Sequence, residues 1–166
     1  MQRTLRCAVV LRLVSTSLSS PEARALERAC SDDIMRRYGS DEPEEELDAA
    51  PFDPPTGAFV VAFLEVDGGD SMPVGCAGIR RLDDTTCELK RMYVDPDARG
   101  RGIARSLLER LEDEAVALGY TTLWLETGTE QPEAIALYES HGYEPIAGFG
   151  RYKDEPKSRS FGRPLT

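Results

Sequence analysis

One histidine, one tryptophan and four scattered cysteines are all that 166 residues offer of the side chains most used for metal and redox chemistry. Cys7, Cys30, Cys76 and Cys87 form no CxxC pair, and His141 has no second histidine, which excludes a recognisable zinc site. A chain with this core does not need disulfides, so reduced, mostly buried thiols in a cytoplasmic protein are expected. Long apolar runs are missing as well. The longest, Cys7 to Val14, is broken by Arg12 and is far short of the roughly 20 residues of a membrane span. Arg3 and Arg6 precede it, but no convincing small-residue cleavage site follows, and it reads as a first strand. Positive charge is scarce: 20 basic residues against 30 acidic ones leave a net charge of −10. That balance argues against general nucleic-acid or anionic-membrane binding, and any selection it exerts favours cationic or amine-bearing partners. The 40% of hydrophobic residues is enough for the core of one domain over residues 1–166.

The segment RTLRCAVVLRLV suits an edge or near-edge strand. Ser20-Pro21-Glu22 starts a helix that runs to Tyr38 and stops at Gly39. Residues 39–56 are acidic and proline-rich; they read as a lid, a binding wall or plain surface, with one short helix at Glu44–Leu47 as an option. GAFVVAFLEV, PVGCAGIRRL and TTCELKRMYV then form an antiparallel meander across Asp67-Gly68-Gly69-Asp70 and Leu82-Asp83-Asp84 turns. A helix follows with Ala104, Leu107, Leu108, Leu111, Ala115 and Leu118 on one face, ended by Gly119. TTLWLET is a strand with Trp124 expected in the core, PEAIALYESHG is a second helix, and YEPIAGFGRY and SRSFGRPL are two weaker strands. A strand, a helix and TTLWLET make one crossover, so one strand pair is parallel. The fold class is α+β: a mixed, mostly antiparallel sheet with one parallel strand pair, flanked by helices.

Between that meander and the helix, YVDPDARGRGIARSL gathers Arg99, Arg101 and Arg105 around Gly100 and Gly102. A helix N-terminus exposes unpaired amides and partial positive charge, and glycines let a ligand approach the backbone, so the stretch suits an anion. It lacks the third glycine of a dinucleotide fingerprint and the Gly-Lys-Ser/Thr of a Walker loop. Taken alone, a helix cap with solvated arginines fits equally well.

The order of the surrounding pieces distinguishes the two. Tyr93-Val94, Pro96, the Arg-x-x-Gly-x-Ala pattern of Arg99, Gly102 and Ala104, the helix end Leu118-Gly119-Tyr120, and Ala134-Ile135-x-Leu137-Tyr138 closing at Gly142-Tyr143 resemble the GCN5-related N-acetyltransferase (GNAT) family over roughly half the chain. The resemblance implies a GNAT-like sheet and acetyl-coenzyme A as cosubstrate, with no metal. Its diphosphate would lie on the amides of Arg99, Gly100, Arg101, Gly102, Ile103, Ala104 and Arg105. Its arm would lie along Met92, Tyr93 and Val94, where a bulge aims an amide at the thioester carbonyl. The family often has asparagine where this chain has Gln131, whose amide makes similar bonds from a longer arm.

The resemblance also implies direct transfer to a primary amine of a small molecule, with Tyr138 as general acid toward the sulfur. A protein or peptide acceptor, or a non-catalytic acyl-coenzyme A-binding regulatory module, is the alternative reading. Glu88, where the family often carries a glutamate, and Glu126, at the end of the neighbouring strand, are the candidate bases. Alternation places Glu88, Lys90 and Met92 on one face and Cys87, Leu89 and Arg91 on the other. His141 reads as a helix C-terminal residue and Cys87 as a buried thiol rather than a nucleophile. Homodimers are common in the family, and SRSFGRPL is an exposed strand that would mediate one.

Overall fold

A computed structural model describes residues 8–66 and 69–166. Arg3, Arg6, Cys7 and the Asp67-Gly68 part of the expected turn lie outside the described residues. From Val9 the chain forms the edge strand β1 (Val9–Ser15), then α1 (Pro21–Tyr38). Ser20 has extended backbone and accepts the Ala23 amide, Pro21 opens the helix, and Gly39 at φ 63° ends it, as the sequence predicts. The meander follows as β2 (Ala58–Val66), β3 (Ser71–Arg81) and β4 (Thr86–Val94). Then come α2 (Ile103–Ala117), β5 (Thr122–Gly128), α3 (Pro132–Ser140), β6 (Glu144–Pro145) and β7 (Ser158–Pro164). The strands form one sheet in the order β1-β2-β3-β4-β5-β7-β6. Only β4 and β5 are parallel, so the α+β mixed sheet expected from the crossover is the sheet observed.

Strand alternation supplies the two cores. Val60, Ala62, Cys87, Leu89, Leu123 and Leu125 meet α2 and α3 on one face, where α2 buries the predicted stripe of Leu107, Leu108, Leu111 and Ala115. Each of those leucines, fully buried, stabilises by roughly 1.5–3 kcal/mol. On the other face Phe59, Val61, Cys76 and Tyr93 pack under α1 through Ala23, Leu26 and Cys30. Glu112 of α2 accepts hydrogen bonds from the Tyr143 hydroxyl at 2.8 Å and Arg163 at 3.0 Å, and lies 3.1 Å from His141 Nε2. One carboxylate thus ties α2 to the end of α3 and to β7. No helix among the described residues is long and apolar enough to cross a membrane.

Four expectations are corrected. No helix forms at Glu44–Leu47, because side chains of α1 and β4 take the backbone groups that a helix would use; the chain turns instead at Ala50–Phe52. YEPIAGFGRY contributes only the two residues of β6. SRSFGRPL is no exposed strand: β7 pairs along its whole length with β5, β6 covers part of its outer side, and Ser160, Phe161 and Gly162 are buried. Trp124 is only partly buried, since its strand position faces away from the α2 core; it lies over Gly162 and packs on Phe149 at 5.2 Å.

Gly78 occupies a spot where a Cβ would lie 2.6 Å from the Phe59 ring and 2.7 Å from the Phe52 ring. Those rings meet edge to face at 6.1 Å and close the α1-side core. Gly78→Ala should therefore lower unfolding free energy by about 1–3 kcal/mol, read from a reduced urea midpoint at unchanged slope.

Candidate functional site

Parallel pairing between β4 and β5 runs from Thr86↔Thr122 to Leu89↔Leu125 and stops, although β4 continues to Val94 and β5 to Gly128. The two strands part beyond that point. On its other side β4 carries one residue too many: Gly78 pairs with Lys90 and Cys76 with Tyr93. Arg91, at φ 56°, absorbs the extra residue as a β-bulge. The bulge breaks the alternation read from the sequence. Arg91 joins Glu88 and Lys90 on the α1 side, while Met92 turns to the α2 core.

A left-handed backbone on a long side chain costs about 1–2 kcal/mol. The Arg91 surroundings offset it. Its side chain is 6% exposed, pairs closely with Glu44, lies 3.9 Å from Glu27 (5% exposed), and donates to the Glu45 carbonyl at 2.9 Å. Glu27 also accepts from Arg24 at 2.7 Å and from the Leu47 amide at 3.2 Å. The acidic segment is thereby fixed against α1 and the bulge as a wall.

Between this wall, α1, the parted strands and the Arg151–Ser158 segment lies a cleft of about 580 Å³. Tyr138 lines it from α3: it is 4% exposed, stacks edge to face on Tyr143 at 5.9 Å, and its hydroxyl takes no hydrogen bond among the described residues. Burial raises that hydroxyl above the ordinary tyrosine value, so it keeps its proton. Glu126 lines the cleft one residue past the last β4–β5 pair, and its buried Oε2 has no partner among the described residues. Burial raises its carboxyl above the ordinary value, and Lys90 and the Ser158 hydroxyl pull it partly back. Glu88 is placed differently: it is 5% exposed, held by Arg80 at 3.1 Å with Lys90 at 3.7 Å, and does not line the cleft. Gln131 lines the cleft and accepts the Tyr38 hydroxyl at 3.0 Å.

Past the C-terminal end of β4, the arginine-glycine loop behaves unevenly. Arg99 folds back, donating to the Val94 carbonyl at 2.9 Å and reaching Asp33 at 3.5 Å. Its own amide is engaged by Pro96. From Gly100 to Arg105 the backbone amides have no acceptor among the described residues; the first helical bond is Ser106 to Gly102. Gly100 at φ 78° and Gly102 at φ 77° need glycine, and nothing lies within 4 Å of where a Cβ would be. Arg101 has no partner among the described residues, and Arg105 reaches only Ser140 at 3.4 Å. This donor set, open backbone amides with two arginines at a helix mouth, fits a diphosphate.

His141 caps α3 and pairs with Glu112, away from the cleft. Cys87 is a buried thiol pushed up to about 12 by burial, unsuited to act as a nucleophile at neutral pH. Cys30, which the sequence left unassigned, lines the cleft and is likewise pushed up to about 12. The resemblance implies a bulge over Met92 to Val94; the structure has it just before them, at Arg91, where no glycine marks the place.

A family model described as the acetyltransferase (GNAT) family matches residues 25–143. An IAA acetyltransferase of Azospirillum brasilense is 46% identical over 93 residues, 55% of this chain and 61% of that protein. A ribosomal protein bS18-alanine N-acetyltransferase of Salmonella typhimurium is 50% identical over 62 residues, 37% of this chain and 40% of that protein. The chain thus spans less than two thirds of these relatives' lengths. Among solved structures, a Klebsiella pneumoniae protein proposed to be an acyl-CoA N-acyltransferase superposes with a TM-score of 0.76 at 30% identity, covering 94% of this chain and 98% of that one. A GNAT acetyltransferase of Elizabethkingia anophelis, solved with acetyl-CoA bound, has the same fold with a TM-score of 0.64 at 16% identity, covering 93% and 98%.

Two outcomes test the site's construction. Arg91→Ala should cost about 3 kcal/mol by leaving Glu44 without its cation, while Glu27 keeps Arg24, and amide exchange should quicken across residues 41–48. Burial raises the Glu126 carboxyl, so the folded protein binds that proton more tightly than the unfolded chain does. The resulting stabilisation is present below the unfolded value and lost as pH rises through the folded one. Glu126→Gln should therefore raise Tm relative to the parent at pH 7, with the gain shrinking toward pH 4.

Proposed function

Because the chain belongs to the acetyltransferase (GNAT) family, we propose that it moves the acetyl group of acetyl-coenzyme A directly onto a primary amine of a small molecule. One observation carries this reading: the parting of β4 and β5 brings into the lining of one cleft Tyr138, whose hydroxyl has no hydrogen-bond partner among the described residues, and Glu126, whose buried Oε2 has none either. Its volume of about 580 Å³ lies within the roughly 300–1,000 Å³ of small-molecule sites, which favours a small acceptor over a protein.

The donor, when bound, supplies an electrophilic thioester carbonyl. The amides from Gly100 to Arg105, with Arg101 and Arg105, hold its diphosphate. The edge of β4 over Met92, Tyr93 and Val94, left without a β5 partner, holds its arm, and the amide nitrogen of Gln131 adds a donor. Glu126 takes the proton from the attacking amine. Glu88, already bound by Arg80, keeps the strand's charges in place instead. Tyr138 holds at its hydroxyl the proton needed by the leaving thiolate. Base and acid contributions of this kind are each worth about 10²–10⁴-fold.

Isothermal calorimetry with coenzyme A should show 1:1 binding, weakened in an Arg101→Ala/Arg105→Ala variant. Tyr138→Phe should lower kcat on the order of a hundredfold while leaving coenzyme A affinity unchanged. A folded protein that does not bind coenzyme A would sink the proposal. An unchanged kcat in the phenylalanine variant would remove Tyr138 from the chemistry.

A further inference from the structure

The cleft's positive charges are spent and its negative charges are not. Arg91 is held by Glu44. Lys90 lies 3.7 Å from Glu88, Arg151 is 3.4 Å from Glu45, and Lys157 is 3.2 Å from Glu130. Every cation that lines the cleft therefore has a carboxylate partner, and Glu88, Glu45 and Glu130 lie outside the lining. Of the four lining carboxylates only Glu44 has a cation partner among the described residues. Glu42, Glu126 and Glu155 have no cation within 4.0 Å among the described residues, although Lys90 is near enough to Glu126 to influence its titration. Glu42 belongs to the acidic wall and Glu155 to the Arg151–Ser158 segment. Tyr38 lines the same space, and an aromatic face attracts alkylammonium groups, whereas the Tyr152 ring already carries the Arg151 guanidinium at 5.5 Å.

Tyr138, 4% exposed and with no hydrogen-bond partner for its hydroxyl among the described residues, marks the reacting end of this cleft. Resting on the acetyltransferase reading above, we infer that the acceptor is an α,ω-diamine or longer polyamine. One amine is acetylated beside Glu126, and the far ammonium is received by Glu42 and Glu155. An acceptor bearing a carboxylate, such as an amino acid, meets lining cations that each already face a carboxylate among the described residues and must compete with it. A simple monoamine leaves Glu42 and Glu155 unused. The attraction is between partly solvated charges, so it selects the acceptor without being strong, and it weakens with salt.

The test uses three acceptors built on four carbons: 1,4-diaminobutane, n-butylamine and 4-aminobutyrate. Coenzyme A release is followed in the intact protein, with coenzyme A affinity measured separately by calorimetry. The expected order of kcat/KM is diamine above monoamine above amino acid, the first gap narrowing between 20 mM and roughly 300 mM salt as screening predicts. Glu42→Gln/Glu155→Gln should raise KM for the diamine about five- to tenfold, with kcat, butylamine kinetics and coenzyme A affinity unchanged. A general packing role for these glutamates would move butylamine equally. The assignment is overturned if 4-aminobutyrate equals or exceeds the diamine, if the double variant affects both amines alike, or if coenzyme A binds and none of the three is acetylated. Absence of coenzyme A binding would instead strike the acetyltransferase reading itself.

Discussion

Two parallel strands that stop pairing halfway are the constraint from which the rest of the site follows. Had β4 and β5 stayed in register to their ends, their backbone groups would satisfy one another and the sheet would be closed. Because pairing ends at Leu89 and Leu125, the following residues of both strands present side chains and backbone to a cleft. The separation is sustained from both sides. The Arg91 bulge turns β4 away, and the full-length β5–β7 ladder holds β5 where it is. The glutamates around Arg91 are part of the same device, since a buried guanidinium without them would be an uncompensated charge.

Most of the frame was legible in the chain. Pro21 and Gly39 bounded α1, the apolar stripe from Leu107 to Ala115 announced α2, and the order of strand, helix and strand required one parallel pair. Each of these signals is local. What escaped was long-range. A bulge at a residue other than glycine leaves no local trace, so the predicted faces of β4 were wrong from Arg91 onward. The loss of the expected short helix at Glu44–Leu47 likewise depends on Arg24, Glu27 and Arg91, which lie 20 to 47 positions from their partners in that segment. The candidate site was legible in part for the same reason. Tyr138 and Glu126 were visible as residue types at strand and helix ends. That Glu126 faces the cleft unpaired while Glu88 is bound to Arg80 depends on packing that no spacing reveals.

The charge pattern repeats at a smaller scale what composition shows for the chain. An excess of ten negative charges is not spread uniformly over structural pairs. Carboxylates on the acidic segment divide between those that hold the fold, such as Glu44, and those that remain available, such as Glu42. A run of acids that reads as one feature in the sequence thus has two separate physical roles, and only the contacts of individual residues separate them.

The lining of the cleft comes from both sides of the sheet: Cys30, Met35 and Tyr38 from α1, Tyr138 from α3. At the far end, Arg37 and Tyr38 reach across to the Glu130 carbonyl and Gln131, closing the gap between α1 and the β5–α3 turn. Side chains from both faces of the sheet therefore line a single cleft. On the proposed acetyl transfer, a donor laid along β4 and an acceptor against α1 would meet there together, which corresponds to a sequential reaction through a ternary complex with no residue carrying the acyl group between two visits.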